Sequence, residues 1–276
     1  MIPVFKSDVL NIHQKGDVIY LSFKIFDKLD FINTAISTRY GGVSRGETYS
    51  SMNLGTSTKD NWEDVKENYR IFCDSTGFDI KRLVLAKQTH TTNVLKVDET
   101  HAGCGVLRER FYNDIDALIT NQKNLPLVIH TADCVPVVFA DAKNKAIGNA
   151  HCGWRGTYGS LAKHTLNEMN KHYGTKPEDV IVSIGPCICE DCYEVSKELY
   201  DDFKKEFGYD KYILNKDDKY YLNLPMINRQ ILIDMGVKEE NIAVSDICTC
   251  CECEHLYSHR GLGPQRGIFS NIISII

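Results

Sequence analysis

Apolar residues keep two different periods along this chain. From Glu63 to Thr76 they recur at helical spacing, with Val65, Tyr69 and Phe72 on one face, which predicts an amphipathic helix. The next stretch, Leu83-Val84-Leu85-Ala86, is short and unbroken and predicts a strand that delivers Gln88 and His90. Leu125 to Thr131 and Val135 to Ala140 read as buried strands, and Lys145 to Ala150 reads as a third that ends at His151. Further helices are predicted over Leu161 to Tyr173, Val195 to Phe207 and Leu224 to Met235, with strands at Val180 to Ile184 and Asn241 to Ser245. No internal repeat, low-complexity segment or Pro-, Gly- or Ser-rich linker interrupts the alternation. We expect one domain over residues 1–276, a layered α+β sandwich of mixed β-sheets and helices.

Composition narrows the function classes. A hydrophobic content of 43% beside 25% charged residues suits a globular core, and no apolar run approaches the length of a membrane span. A net charge of −5 without a clustered basic stripe argues against nucleic acid as a partner. The start of the chain, Met1-Ile2-Pro3-Val4-Phe5-Lys6-Ser7-Asp8, lacks the basic-then-apolar pattern of a secretory signal. Eleven cysteines, an odd number, cannot all pair within one chain, so the expected compartment is the reducing cytoplasm.

The chemistry concentrates at strand ends. Gln88-Thr89-His90, Thr131-Ala132-Asp133-Cys134 and Ala150-His151-Cys152-Gly153-Trp154-Arg155-Gly156 each bring one soft-metal ligand. His90, Cys134 and His151 together predict a zinc site, with copper as the alternative metal. Two imidazoles and a thiolate leave tetrahedral zinc one position short, the mark of a catalytic rather than a structural ion. Alone, each of these residues reads as ordinary core.

Gly153, Gly156 and Gly159 predict a turn into a helix whose start, helped by Arg155, holds an anion; the competing expectation is that Arg155 pairs with a carboxylate. Arg39 beside Gly41 and Gly42 is a further anion-binding candidate. Asp133 reads either as a proton carrier or as a turn residue. Cys187, Cys189 and Cys192 crowd one loop, and Cys248, Cys250, Cys251 and Cys253 another. We expect these runs to lack the paired Cys-x2-Cys arrangement of a zinc ribbon, so reduced surface thiols are the default. A second zinc or an iron–sulfur cluster is the alternative if the loops meet.

Ten blocks in fixed order make this chain resemble the YfiH-type, or laccase-domain, family. They run from Thr38-Arg39-Tyr40-Gly41-Gly42-Val43-Ser44 and Met52-Asn53-Leu54-Gly55, through the three ligand segments, Asp116-Ala117-Leu118-Ile119-Thr120, Ile184-Gly185-Pro186 and Tyr193-Glu194-Val195, to Cys248-Thr249 and Tyr257-Ser258-His259-Arg260. The resemblance implies the CNF/YfiH-like fold and a zinc-dependent purine nucleoside phosphorylase. It implies adenosine, inosine and methylthioadenosine with phosphate as substrates, and adenosine deaminase activity besides. It also implies His90, Cys134 and His151 as metal ligands and catalytic centre, with Arg39, Asn53, Cys248 and Arg260 around the substrate.

Two departures stand out. Cys152 replaces the usual Ala, and the tandem arginine of the family is reduced to Arg260 followed by Gly261, with Arg266 a few residues on. Three other readings compete: a copper-binding polyphenol oxidase, a cysteine-based hydrolase or amidase using Cys134, and a non-catalytic zinc-stabilised binding protein. With nine histidines and no His-x-His pair, the chain is short of ligands for a multicopper oxidase.

Overall fold

The structure is a computed structural model that describes residues 6–276; most of the segment read for a secretory signal, Met1 to Phe5, lies outside the described residues. Its strands are β1 (Leu10–Lys15), β2 (Val18–Phe23), β3 (Ile32–Ser37), β4 (Val84–Leu85), β5 (Val94–Lys96), β6 (Ala117–Thr120), β7 (Leu127–Thr131) and β8 (Val135–Asp141). They continue as β9 (Ala146–Cys152), β10 (Val180–Ile184), β11 (Glu194–Val195), β12 (Ile213–Lys216), β13 (Lys219–Leu222), β14 (Ile242–Val244) and β15 (Phe269–Ile275). The helices are α1 (Trp62–Thr76), α2 (Trp154–Tyr158), α3 (Leu161–Tyr173), α4 (Lys197–Phe207), α5 (Leu224–Asp234) and α6 (His259–Leu262). Among the described residues, no helix is long and apolar enough to cross a membrane.

Two six-stranded mixed sheets carry the fold, ordered β1-β2-β3-β15-β7-β4 and β14-β10-β8-β9-β6-β5, with a small sheet β11-β13-β12 beside them. Side-chain alternation explains the layering. Leu21, Ile36, Leu127, Ile129 and Ile273 of the first sheet pack against Leu118, Val138, Ala140 and Ile147 of the second. The opposite face of the first sheet, with Ala35, Val128 and Ile272, receives Val65, Tyr69 and Phe72 of α1. The opposite face of the second, with Val135, Val137, Phe139, Val180 and Val182, receives Leu161, Leu166 and Met169 of α3 and Ile227 and Ile231 of α5. The order of layers is helix, sheet, sheet, helix. Strands buried on both faces give the unbroken apolar runs seen in β7 and β8.

Local signals set the helix limits. Asn61 caps α1 by accepting from the Glu63 N–H, and Gly77 closes it in the left-handed region. Ser196 caps α4, so the predicted helix begins two residues late and Val195 joins β11 instead. β15, the last strand, inserts between β3 and β7, a pairing across more than a hundred residues. The antiparallel ribbon β1–β2 and the strands β3, β6 and β15 were not read from the sequence.

Register positions the chemistry. β8 pairs with β9 so that Pro136 faces His151 and Val135 faces Cys152. On the other side of β9, Ala117 of β6 faces Ala150. His151 therefore sits at one end of the second sheet, with the residue before β8, Cys134, on one flank and the residue before β6, Asp116, on the other. β5 runs parallel to β6 with Val94 opposite Ala117, which brings the loop from Thr89 to Asn93 to the same end.

Candidate metal centre and cleft

His90, Cys134 and His151 converge: one ligand atom from each lies within 4.8 Å of the others. Their carriers differ. His151 is on β9 and buried, Cys134 lies in the short link from β7 to β8, and His90 sits in the loop after β4 with a left-handed backbone, φ +64°.

Asp116, fully buried, organises the trio. Its Oδ1 accepts from His151 Nδ1 at 2.8 Å and from the His90 N–H at 3.1 Å. Its Oδ2 accepts from the Thr91 N–H at 2.7 Å, the Thr91 hydroxyl at 2.9 Å and the Thr89 N–H at 3.1 Å. One carboxylate thus fixes the unusual backbone at His90 and the ring of His151. An ionised carboxylate only accepts, so Nδ1 of His151 carries the proton and Nε2 is the nitrogen left to bind a metal. Sequence reasoning assigned Asp116 no role. The signal was an acid immediately before a buried strand, and its meaning emerges only from the pairing of β6 with β9.

Charge in the trio favours a cation. Burial pushes the His151 imidazole down, but the neighbouring Cys134 and the Asp116 carboxylate more than reverse this and raise it to about 9. Burial holds His90 below the ordinary histidine value, helped by the neighbouring His151, so its ring stays neutral and able to ligate. Burial also opposes ionisation of Asp116, yet His151 and the loop N–H groups bring its carboxyl below the usual range.

Space at the centre is tight on one side and open on the other. A Cβ placed on Gly153 would lie 3.0 Å from Cys134 Sγ and 3.1 Å from His90 Nδ1, so glycine there lets the backbone pass beside the ligands. Two hollows open from the trio. One, of about 400 Å³, is lined by Gln88, His90, Arg110, His130, His151 and Arg266. The other, of about 280 Å³, is lined by Trp154, Arg155, Ile188, Tyr193, Leu224 and Arg260. Both include His90, Cys134 and Arg266, so they form one cleft with the trio at its centre. A larger open hollow of about 620 Å³ joins the cleft past Thr56, Lys87 and Arg110, but it carries no metal-ligating side chain from the trio.

The arginines divide into two kinds. Arg266 projects into both hollows, and its buried Nε has no hydrogen-bond partner in the structure. Arg155 stacks on Trp154, its guanidinium carbon 4.0 Å from the ring centroid, and makes no carboxylate pair among the described residues. Arg260, in contrast, donates from Nη1 to the Cys192 carbonyl and from Nη2 to the Glu194 carbonyl.

The structure does not bring Arg39 and Asn53 into the cleft lining. Arg39 donates to the carbonyls of Ser50 and Cys253, and Asn53 is fully buried with its Oδ1 accepting from Gly55 and Ile268. Asn53 thereby positions Ile268, which does line the cleft. Cys248 lies in a separate group with Cys189, Cys192 and Cys251. At the turn expected to open a helix onto an anion, α2 has only five residues and Gly153 as its N-cap, so little aligned helix dipole stands behind it. Asp133, at φ +88°, accepts from the Thr249 hydroxyl at 2.7 Å and from the Arg260 N–H at 2.6 Å. Both its oxygens are committed, so it clamps the turn beside Cys134.

Known proteins resemble this chain over most of its length. The profile of the family described as multi-copper polyphenol oxidoreductase laccase matches residues 33–276. A protein of Bacteroides thetaiotaomicron named purine nucleoside phosphorylase is 33% identical over 258 residues, covering 92% of this chain and 95% of its own. Adenosine deaminase RL5, from an unknown prokaryotic organism, is 32% identical over 250 residues, 87% of this chain and 95% of its own. The crystal structure of the hypothetical protein YfiH of Bacillus licheniformis superposes with a TM-score of 0.88 at 29% identity, covering 96% of this chain and 99% of that one.

Proposed function

This chain belongs to the family described as multi-copper polyphenol oxidoreductase laccase, and within it we propose a zinc-dependent purine nucleoside phosphorylase with adenosine deaminase activity at the same centre. Its substrates are adenosine, inosine and S-methyl-5′-thioadenosine. The observation that carries this reading is a three-ligand trio open to a cleft into which Arg266 turns an unpartnered Nε. Relatives named for both activities support the reaction class.

The donor set fits zinc: two imidazoles and a thiolate, with a carboxylate behind one imidazole. His90, Cys134 and His151 would hold the zinc, which would supply a Lewis acid facing the cleft. Oxygen-reducing copper chemistry fits less well, because the described residues gather metal-ligating side chains in only two groups, one of them all thiols.

The chain's own residues do the rest. Asp116 keeps the His151 proton on Nδ1 and locks the loop bearing His90, so the ligands arrive already oriented. Arg266, with Arg110 lining the same hollow, binds phosphate on one side of the trio, and Trp154, Ile188, Tyr193 and Leu224 receive the purine on the other. A phosphate oxygen so placed attacks the anomeric carbon while the bond from that carbon to the purine nitrogen breaks; the base leaves with the electron pair and takes up a proton. Holding both partners across the centre makes the displacement effectively unimolecular. In deamination, water adds at the carbon bearing the amino group, and ammonia departs.

The test uses metal-quantified protein and adenosine, with and without phosphate, and resolves the products by chromatography. We expect phosphate-dependent adenine with ribose 1-phosphate, and inosine irrespective of phosphate. Neither product from zinc-loaded protein rejects the reading. A thiol hydrolase built on Cys134 and His151 is separated by alkylation, since zinc-bound Cys134 resists iodoacetamide and a free nucleophile does not.

A further inference from the structure

Seven cysteines lie in the loops that follow β10 and β14, and four of them meet. Each of Cys189, Cys192, Cys248 and Cys251 offers a sulfur, and the four sulfurs lie within 4.8 Å of one another, with Cys192 and Cys251 at 3.5 Å. The reason is topological. β10 and β14 are parallel neighbours, Ile184 opposite Val244, so their loops leave the sheet at the same end. The pairing continues past the strands through a bridge between Cys187 and Cys248, closed by the Thr249 N–H on the Cys187 carbonyl at 3.0 Å. Each loop then supplies a Cys-x2-Cys pair, Cys189 with Cys192 and Cys248 with Cys251, which corrects the expectation that these runs lack one; Cys187, Cys250 and Cys253 crowd around the pairs and obscure the spacing.

We propose that Cys189, Cys192, Cys248 and Cys251 bind a second zinc ion, a closed structural site that braces the wall of the catalytic cleft. Tetrahedral zinc with four sulfurs at about 2.3 Å sets neighbouring sulfurs roughly 3.8 Å apart, which matches the observed grouping. A polynuclear iron–sulfur cluster interposes several atoms and needs a wider cage. Backbone donors already face the sulfur of Cys248, from the Cys189 N–H at 3.2 Å and the Cys251 N–H at 3.5 Å. Such donors offset the excess negative charge of four thiolates on a divalent ion. Four protein ligands leave no open position, so the site holds structure and does no chemistry.

What it holds is the cleft. Thr249, between two of these cysteines, donates to Asp133 next to Cys134, and the Ile188 N–H donates to the Asp133 carbonyl at 3.0 Å. Arg260 grips the Cys192 carbonyl while its own N–H rests on Asp133. Ile188 and Tyr193, just outside the first pair, line the hollow assigned to the purine. Tying these loops together converts metal-binding energy into order at that wall.

Elemental analysis of the full chain, purified under reducing conditions, tests the site. Two zinc ions per chain are expected, one after Cys189→Ser with Cys251→Ser, and still two after Cys250→Ser with Cys253→Ser. Because the first double variant can fail to fold, the decisive sample is His90→Ala with His151→Ala. It should retain one zinc, which X-ray absorption should find surrounded by four sulfurs at about 2.3 Å. A single zinc in the native chain, absent from that variant, overturns the proposal. So does an iron–sulfur absorption spectrum, or a Cys192–Cys251 disulfide in the protein as isolated.

The metal count stands whether or not the chain acts on nucleosides. The bracing role rests on that reading: loss of the second zinc should raise KM for adenosine roughly tenfold, the scale of supporting-shell mutations, with kcat little changed. A fall in kcat at unchanged KM would overturn the bracing role and leave the metal site intact.

Discussion

Two groups of soft ligands lie close together in this molecule and are built on opposite plans. His90, Cys134 and His151 come from three separate segments, two of them imidazoles, and face a cleft. Cys189, Cys192, Cys248 and Cys251 come as two local pairs, all thiols, from the loops that follow two neighbouring parallel strands. The first is oriented by a buried carboxylate, the second by backbone N–H groups. Three ligands with a supporting acid prepare a metal for reactants, while four ligands complete its shell. Asp133 and Thr249 link the two groups through one hydrogen bond of 2.7 Å.

The strongest way to break this contrast is His151→Ala. It should abolish phosphorolysis and remove the zinc of the open group only; loss of every metal from a folded variant would show that the groups are not independent. Next in size, Asp116→Asn keeps the shape but loses the charge behind His151 and the loop of His90. Zinc affinity at the open group should fall by about 10- to 100-fold in a chelator competition, with the thiol group unaffected. Gly153→Ala sharpens the same point by crowding. Its Cβ meets Cys134 Sγ and His90 Nδ1, so zinc should bind several-fold more weakly while the melting temperature of metal-free protein changes little.

The smallest effect concerns His130, a third imidazole of the cleft that is not part of the trio. Its Nε2 donates to the Tyr69 hydroxyl, at 2.6 Å, which in turn donates to the Leu54 carbonyl. Burial, with Arg110 and His151 nearby, lowers it to about 3. A folded value below the unfolded 6.5 means the unfolded chain binds the proton first, so its contribution is complete above that pH and is lost as pH falls toward 3. By pH 5.5 the loss should reach about 1.4 kcal/mol. Denaturant titrations at pH 7 and 5.5 should show a smaller difference in His130→Gln than in the native chain. An equal difference would contradict the assignment.

The convergence of the trio was legible in the sequence because Cys134 and His151 stand at strand ends, where a local motif is also a spatial address, and His90 follows a short strand in the loop between β4 and β5. Asp116 was not, since its meaning depends on β6 pairing with β9 and β5 with β6, contacts that no local pattern encodes. The thiol pairs, read as absent, are present in the sequence among neighbours of the same kind, and their meeting requires β10 and β14 to run side by side. Helices α1, α3 and α5 followed their apolar period closely. β15, central to its sheet, is not legible from local pattern because its partners β3 and β7 are remote in sequence.

Only Ala132, Asp133 and Cys134 separate β7 in one large sheet from β8 in the other. The Cys134 sulfur therefore rides on the seam of the sandwich and registers any slip of one sheet against its neighbour. Trimming Ile129 or Val138 in the shared interior should then blunt turnover well before the molecule melts, because a displacement of about 1 Å at a reacting centre can cost a hundredfold in rate.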